Sequence, residues 1–154
     1  MMDKNVIFDL DGTLALIDDR RKLSTNDKGK INWDIFFDPK NIDLDKPNRP
    51  VIKLAQMFKQ QGFRIVILSG RLKTTKDATR KWLDANGVPF DILKMRPDNN
   101  QFKFLPDDDL KQGWLDSLFT DKDSIFAVFD DRQKVVDMWR RNSLTCFQVA
   151  DGNF

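Results

Sequence analysis

The chain contains no histidine and no tyrosine, and its only cysteine is Cys146. The absence of histidine excludes a Ser-His-Asp triad, a Cys-His dyad and an HExxH zinc site. One cysteine cannot form an internal disulfide or a cysteine-rich zinc site. Cys146 lies in an apolar run, where an inert, packed side chain is expected. Acid-base chemistry therefore falls to carboxylates and lysine.

A long apolar run and a strong net charge are also missing. No segment approaches the ~20 apolar residues of a membrane span, and residues 1–5 lack the apolar core of a signal peptide. The formal net charge is only +2, which excludes a strongly basic nucleic-acid coat but permits basic patches around an anionic substrate. We expect a soluble, cytoplasmic protein without a membrane partner.

A chain of 154 residues without repeats is expected to form a single domain, residues 1–154. Five short apolar runs predict buried strands, at residues 6–9, 64–68, 91–95, 125–130 and 145–149. Helical patterns lie between them, around residues 51–58 and at 74–86, 107–119 and 133–141. Strands that alternate with helices predict an α/β fold with a Rossmann-like, doubly wound, parallel five-stranded sheet.

Two segments interrupt this alternation. Residues 15–48 follow the first strand and are predicted to be a small lid, irregular except for one amphipathic helix within residues 31–37. Residues 96–106 are predicted to be a loop. A long insertion without regular structure is usually functional, often as a lid over a site. Its aromatic residues Trp33, Phe36 and Phe37 could stack on a nucleobase or could pack the lid onto the body.

The most informative stretch is Val6-Ile7-Phe8-Asp9-Leu10-Asp11-Gly12-Thr13-Leu14, in which a predicted strand ends in two aspartates. Residues two apart on an extended chain point the same way, so both carboxylates can converge at the strand's carboxyl end. Open α/β sheets bind ligands at that edge. Two adjacent acids there are costly unless a cation or a shared proton stabilises them. A divalent metal and acid chemistry are therefore implied.

Three further signals accompany this motif: Leu68-Ser69-Gly70-Arg71, Lys111 near the start of a predicted helix, and Asp130-Asp131-Arg132. In order and placement the set resembles the haloacid dehalogenase superfamily of phosphoryl-transfer enzymes. The resemblance implies that Asp9 is a nucleophile forming an aspartyl-phosphate and that Asp11 is the general acid and then the base. It implies Mg²⁺ held by Asp9, the main-chain carbonyl of Asp11 and Asp130, with Asp131 as a further ligand or an outer partner.

The same resemblance implies that the Ser69 hydroxyl and the Gly70 amide bind the transferred phosphoryl group, and Thr13 is placed with these substrate-binding residues. Lys111 shares a helix face with Trp114, Leu115 and Leu118. A lysine on an apolar face either extends to solvent or neutralises buried anions. We favour neutralisation and count Lys111 as catalytic, because the site needs a cation beside Asp9 and the phosphoryl group.

A closer resemblance covers nearly the whole chain. Residues 65–71, 80–82, 87–89, 130–141 and 146–154 look like the phosphatase half of phage polynucleotide kinase-phosphatases. In that family, arginines bind the substrate phosphate and the neighbouring backbone, and the matching positions are Arg20, Arg71 and Arg96. No Gly-x-x-x-x-Gly-Lys-[Ser/Thr] motif occurs, so a P-loop kinase half is lacking. The chain is either a free-standing phosphatase or part of something larger, and a separate kinase or ligase is an expected partner.

Three functions compete at this point. The first is a Mg²⁺-dependent phosphatase that removes 3′-phosphates from DNA or RNA ends, supported by the arginines, a short lid and the phage resemblance. The second is a nucleotidase acting on free nucleotides, which the small net charge suits. The third is a non-catalytic phosphate- or nucleic-acid-binding module. The set Asp9, Asp11, Ser69, Lys111 and Asp130 argues against the third, because binding alone does not need both leading acids.

Overall fold

A five-stranded parallel sheet forms the centre of the structure, a computed structural model that describes residues 4–154. Its strands are β1 (Asn5–Phe8), β4 (Arg64–Leu72), β5 (Ile92–Arg96), β6 (Ile125–Asp130) and β7 (Cys146–Gln148), and their spatial order is β5-β4-β1-β6-β7. Every pairing in this sheet is parallel. The predicted fold class is confirmed, with strand ends displaced by at most four residues.

Helices cover both faces of the sheet. The helices are α1 (Asp18–Ser24), α2 (Trp33–Phe36), α3 (Arg49–Gln60), α4 (Lys76–Ala85), α5 (Asp107–Leu118) and α6 (Gln133–Arg141). One apolar cluster joins one face of the sheet to α3, α4 and the insertion, and a second joins the other face to α5 and α6. None of the helices formed by residues 4–154 has the length and apolar character of a membrane span.

The insertion, residues 15–48, is more ordered than the sequence predicts. Strands β2 (Ala15–Leu16) and β3 (Lys46–Pro47) pair antiparallel and close it at its base. Helix α1 was not predicted, because its fully buried side chain is an arginine, Arg20, and hydrophobic periodicity cannot reveal it. The helix expected within residues 31–37 is the short α2, whose Phe36 is buried.

Strand β4 also departs from the prediction. It continues past Leu68 to Leu72, so Ser69-Gly70-Arg71 lies on an extended strand end. The pairing of β4 with β5 is irregular between Ser69 and Leu72. This irregularity lets the chain bend away at the same edge where β1 and β6 end, which brings all three strand ends together.

The insertion contributes side chains to the hydrophobic core that covers one face of the sheet, and substitution of Ile42 tests this. Ile42 lies in a 3-10 helix, Pro39–Leu44, and is fully buried in the cluster that includes Phe8 and Ile67. We expect Ile42→Ala to lower the free energy of unfolding by about 2–4 kcal/mol. Ile35→Ala, the same change at a position 37% exposed in the same insertion, should cost less than about 1 kcal/mol. Urea denaturation of both variants measures the difference, and equal losses would contradict a shared core.

Candidate active site

The carboxyl end of β1 places Asp9 in a buried position facing β6. Its amide donates to the Phe129 carbonyl at 2.9 Å, which continues the sheet pairing by one residue. The buried Thr13 hydroxyl donates to Asp9 Oδ2 at 3.0 Å. One carboxylate oxygen is therefore fixed by the turn that follows the strand, and the other faces the neighbouring charged groups.

Lys111 lies between two of the predicted acids. Its Nζ is 2.8 Å from Asp9 Oδ1 and 3.2 Å from Asp130 Oδ2, and the side chain is almost entirely buried. Burial alone would lower the pKa of the ammonium group, but the carboxylates of Asp130 and Asp9 outweigh it and raise that pKa. Lys111 is thus a permanently charged cation at the site, as its place on an apolar helix face predicted.

Asp9, Asp130 and Asp131 form a buried carboxylate cluster whose ligand atoms all lie within 4.8 Å of one another. Burial, and then the proximity of Asp130, raises the pKa of Asp9 well above its ordinary range, and the same two causes raise the pKa of Asp131. Three carboxylates face one ammonium group, so negative charge remains in excess. A divalent cation with a preference for hard oxygen ligands, such as Mg²⁺, fits this donor set.

Two hydrogen bonds fix the carboxylate of Asp130. Its Oδ2 accepts a hydrogen bond from the indole Nε1 of the fully buried Trp139 at 3.0 Å, and its Oδ1 accepts one from the Asp131 amide at 2.9 Å. Cys146 is buried on the same side, and burial together with Asp130 raises the pKa of its thiol to about 12. This agrees with the expectation that Cys146 is inert.

Asp11 faces a different environment from Asp9. Its Oδ1 accepts hydrogen bonds from Arg20 at 2.9 Å and from Arg71 Nε at 2.8 Å. Burial raises the pKa of the Asp11 carboxyl, but Arg71 and Arg20 outweigh burial and lower the pKa below its ordinary value. The Asp11 carboxylate is not part of the metal-type cluster, which leaves only its main-chain carbonyl for the predicted metal role.

Asp45 completes a buried ion network that the sequence did not reveal. Arg20 binds it through two nitrogens, at 3.0 and 3.1 Å, and Arg71 binds it at 2.7 Å. Arg20 also donates to the Phe36 carbonyl and stacks 4.3 Å from that ring's centre. Asp45 and Arg20 come from the insertion and Arg71 comes from β4, so this network ties the insertion to the sheet.

Gly12 and Gly70 each lie so close to a carboxylate that a side chain in their place would collide with it. Gly12 has φ +84°, and a Cβ there would lie 2.1 Å from Asp131 Oδ2. A Cβ at Gly70 would lie 2.7 Å from Asp107 Oδ1. Both glycines therefore permit an approach of backbone to acid that a side chain would block. The Ser69 hydroxyl, predicted to bind phosphoryl, accepts from the Arg71 amide at 3.1 Å.

The buried side chain of Arg96 holds the loop of residues 97–106 in place. It donates to the carbonyls of Gly70, Phe102 and Leu105 and pairs with Asp107, so residues 97–106 are held at both ends. Asp107 also pairs with Arg132 at 3.0 Å. The predicted contact between Arg96 and substrate phosphate stays a prediction.

One cleft of about 1080 Å³ opens over the strand ends. Eight predicted site residues line it: Asp9, Asp11, Gly70, Arg71, Arg96, Lys111, Asp130 and Asp131. Thr13, Arg20 and Ser69 do not line it, because each is buried behind the surface. The structure thus shows these three holding Asp9, Asp11 and the β4 end, and their direct contact with substrate stays a prediction.

The aromatic residues of the insertion divide between the two expected roles. Phe36 is buried beneath Arg20, and Phe37 packs against the core, as expected if the insertion packs onto the body. Trp33 is 56% exposed, lines the cleft and stacks on Phe37 with ring centres 5.7 Å apart. Trp33 is therefore the most exposed of these three aromatic residues at the cleft.

The sequence model of the family described as "Polynucleotide kinase PNKP phosphatase domain" matches residues 3–154. The chain belongs to this family. Asp9, Lys111 and the carboxylate cluster therefore lie in a phosphatase domain of the haloacid dehalogenase type, in agreement with the resemblance of the motifs.

Individual proteins agree with this assignment. A protein described as a bifunctional polynucleotide kinase/RNA ligase of Autographa californica nuclear polyhedrosis virus is 32% identical over 152 residues, covering 94% of this chain and 19% of that protein. A chain in the structure of the Pnkp1/Rnl/Hen1 RNA repair complex is 34% identical with a TM-score of 0.81, covering 99% of this chain and 44% of that one. The chain thus spans less than half the length of these relatives.

A more distant structure shares the fold alone. A protein named as a predicted phosphatase from Clostridium acetobutylicum superposes with a TM-score of 0.71 at 17% identity, covering 96% of this chain and 85% of that one. The α/β scaffold is therefore retained where most side chains differ.

Sequence reasoning missed Asp45, Asp107, Trp139 and Arg132 as parts of the site. Asp45 follows Asp43 in a polar stretch, and nothing local distinguishes the two. Asp107 is one of three consecutive acids in the first turn of α5, where acids suit the N-terminus of any helix and indicate no role in a site. Arg132 could have been recognised, because it follows Asp130-Asp131 directly in the quoted motif.

Asp45 gives a sharp test of the ion network. Asp45→Asn keeps the shape but leaves the buried Arg20 and Arg71 with Asp11 as their remaining carboxylate, so we expect a loss of about 3–5 kcal/mol in the free energy of unfolding. Asp43→Asn is the matched control, because Asp43 is exposed two positions earlier, and should change stability by less than about 0.5 kcal/mol. Chemical denaturation measures both, and similar values for the two variants would refute the network's role.

Proposed function

We propose that this chain is a Mg²⁺-dependent phosphomonoesterase that removes 3′-phosphates from DNA or RNA ends through an aspartyl-phosphate at Asp9. The observation that carries the proposal is the pairing of two acids with opposite environments at one strand end. Asp9 lies with Asp130, Asp131 and Lys111, whereas Asp11 lies with two arginines. Acids whose environments differ in this way are suited to different roles in one reaction.

Asp9 must be ionised to attack phosphorus, yet burial and Asp130 favour its protonated form. Lys111 opposes them, and Mg²⁺ bound by Asp9, Asp130 and Asp131 would add positive charge to ionise Asp9 and offset its repulsion from the phosphate. The Asp9 oxygen then attacks phosphorus as the bond to the leaving 3′-oxygen breaks. We assign the binding of the phosphoryl oxygens to the Gly70 amide, which lines the cleft, and to the hydroxyl of Ser69, which precedes it on β4.

Asp11 serves both halves of the proposed reaction. A proton on Asp11 passes to the leaving oxygen, and the resulting carboxylate then takes a proton from the water that hydrolyses the aspartyl-phosphate. Arg71 and Arg20 favour the anionic, proton-accepting form. The dianionic substrate beside Asp11 favours the protonated form required for the first half, because a nearby negative charge raises a carboxyl pKa.

The polynucleotide end is supported as substrate by the family and by the shape of the cleft. Its walls come from the insertion and from the loop of residues 97–106, and Trp33 presents an exposed ring on which a nucleobase can stack. A nucleotidase acting on free nucleotides is the second candidate, favoured by the net charge of only +2.

The family also supports a partner. Since one relative is described as a polynucleotide kinase/RNA ligase and another lies in a complex with Rnl and Hen1, we propose that this phosphatase acts with a kinase or ligase. That activity would reside in the same polypeptide or in a separate protein.

Asp9→Asn tests the nucleophile. An amide cannot form the aspartyl-phosphate, so turnover should be abolished. The pKa of Asp9 is higher in the folded than in the unfolded protein, so a negative charge on Asp9 lowers the stability of the metal-free fold. The neutral asparagine carries no such charge, and the Tm of the variant in EDTA should therefore not fall. Asp18→Asn, an exposed acid in the same cleft, is the control and should retain turnover. Retained turnover in Asp9→Asn would refute the mechanism.

Phosphate release from three substrates tests the specificity. We expect release with Mg²⁺ to be fastest from a 3′-phosphorylated oligonucleotide, slower from mononucleotides and slowest from the 5′-phosphorylated oligonucleotide of the same sequence. Removal of Mg²⁺ by EDTA should stop all three reactions. Much faster hydrolysis of mononucleotides would favour the nucleotidase over the 3′-phosphatase.

A further inference from the structure

Two arginines at the cleft, Arg21 and Arg132, do not belong to the buried ion network of Arg20, Asp45 and Arg71. Arg21 follows Arg20 in α1, and Arg132 follows Asp131. Both line the cleft, and each is adjacent in sequence to a residue of the site. Consecutive Cα atoms are about 3.8 Å apart, so both residues start close to the reacting groups while their side chains extend toward the open surface.

The ring of Phe154 holds these two arginines. The guanidinium carbon of Arg21 lies 5.2 Å from the ring centre and that of Arg132 lies 5.3 Å from it. Arg132 is also fixed by its Nε, which donates to the Phe154 carbonyl at 2.8 Å. Phe154 thus connects Arg21 of the insertion to Arg132 of the segment after β6, and Arg132 is held in addition by its ion pair with Asp107.

The donors of these arginines remain available. Within residues 4–154, the Arg21 side chain has no carboxylate partner and donates no hydrogen bond, and Arg132 uses only Nε and Nη1. A guanidinium group that stacks on a ring keeps its in-plane N–H groups directed outward, where they can bind an anion through two donors. By contrast, Arg20, Arg71 and Arg96 direct their donors to carboxylates and carbonyls of the protein.

We propose that Arg21 and Arg132, held by Phe154, form a second anion subsite that binds the phosphodiester next to the scissile 3′-phosphate. This inference rests on the proposed function and names the feature that separates a polynucleotide end from a free nucleotide. A mononucleotide has no such phosphodiester and leaves the subsite unused. Because phosphate contacts carry no sequence information, the subsite accepts any base sequence.

The test uses a dinucleotide with a 3′-phosphate and its methylphosphonate analogue, in which the linking phosphodiester is uncharged. We expect wild-type kcat/KM to be about tenfold higher for the charged linkage, since one charge-assisted contact is lost in the analogue. Arg21→Gln should bring this ratio close to one, with the loss mainly in KM. Deoxyribose and ribose versions of both compounds report whether DNA or RNA supplies the phosphodiester.

Arg141→Gln is the matched control. It removes the same charge from the far end of α6, whose first residue Gln133 adjoins Arg132, and should keep the wild-type ratio. Arg132→Gln should also lower the ratio, and Phe154→Leu should lower it less because an apolar contact remains. An equal kcat/KM for the two linkages in the wild type, or an unchanged ratio in Arg21→Gln, would overturn the subsite.

The outcomes separate the subsite from the proposed function. If the wild type removes 3′-phosphates from both dinucleotides equally, the phosphatase assignment stands and the subsite is wrong. If it hydrolyses p-nitrophenyl phosphate but no 3′-phosphorylated nucleotide or dinucleotide, the proposed substrate class fails, and the subsite fails with it.

Discussion

The site depends on how negative charge is balanced at the carboxyl ends of β1, β4 and β6. Buried carboxylates are costly unless they are paired, and the structure pairs them in two groups. One group has a single ammonium group for three acids and retains an excess of negative charge. The other has two guanidinium groups for Asp11 and Asp45, and its charges are balanced. An additional cation is therefore needed by the cluster of Asp9, Asp130 and Asp131 but not by the network of Asp11 and Asp45.

This division gives two acids only two residues apart the different environments that their proposed roles require. Asp9 and Asp11 follow the same strand, but the Asp9 carboxylate lies with Lys111 and with Asp130 of β6, whereas the Asp11 carboxylate pairs with Arg71 of β4. The Arg20–Asp45–Arg71 network then fixes the second acid from behind. Because the network includes Arg20 and Asp45 of the insertion, the insertion helps to hold Asp11 and also forms a wall of the cleft.

The sequence predicted the elements with strong periodicity and the residues that belong to local motifs. The parallel sheet, five of the six helices, and the convergence of Asp9, Lys111, Asp130 and Asp131 could all be inferred from it. Asp45 and helix α1 could not, because their roles arise from long-range ion pairing and a buried arginine leaves no apolar pattern. The predicted contacts of Arg20 and Arg96 followed motif spacing, which does not tell whether a guanidinium group faces a ligand or a carboxylate.

The groups proposed to carry out the reaction and the groups proposed to select the substrate lie in different parts of this fold. The strand ends supply acids and cations at fixed positions, and a scaffold shared with proteins under 20% identical can hold that arrangement. The cleft above these strand ends is lined by the insertion, the loop of residues 97–106 and the segment ending at Phe154. These three segments meet around one cleft, and Arg21, Trp33 and Arg132 expose binding groups there that the buried networks leave unused. The proposed choice of substrate therefore rests on these few charged and aromatic side chains at the cleft.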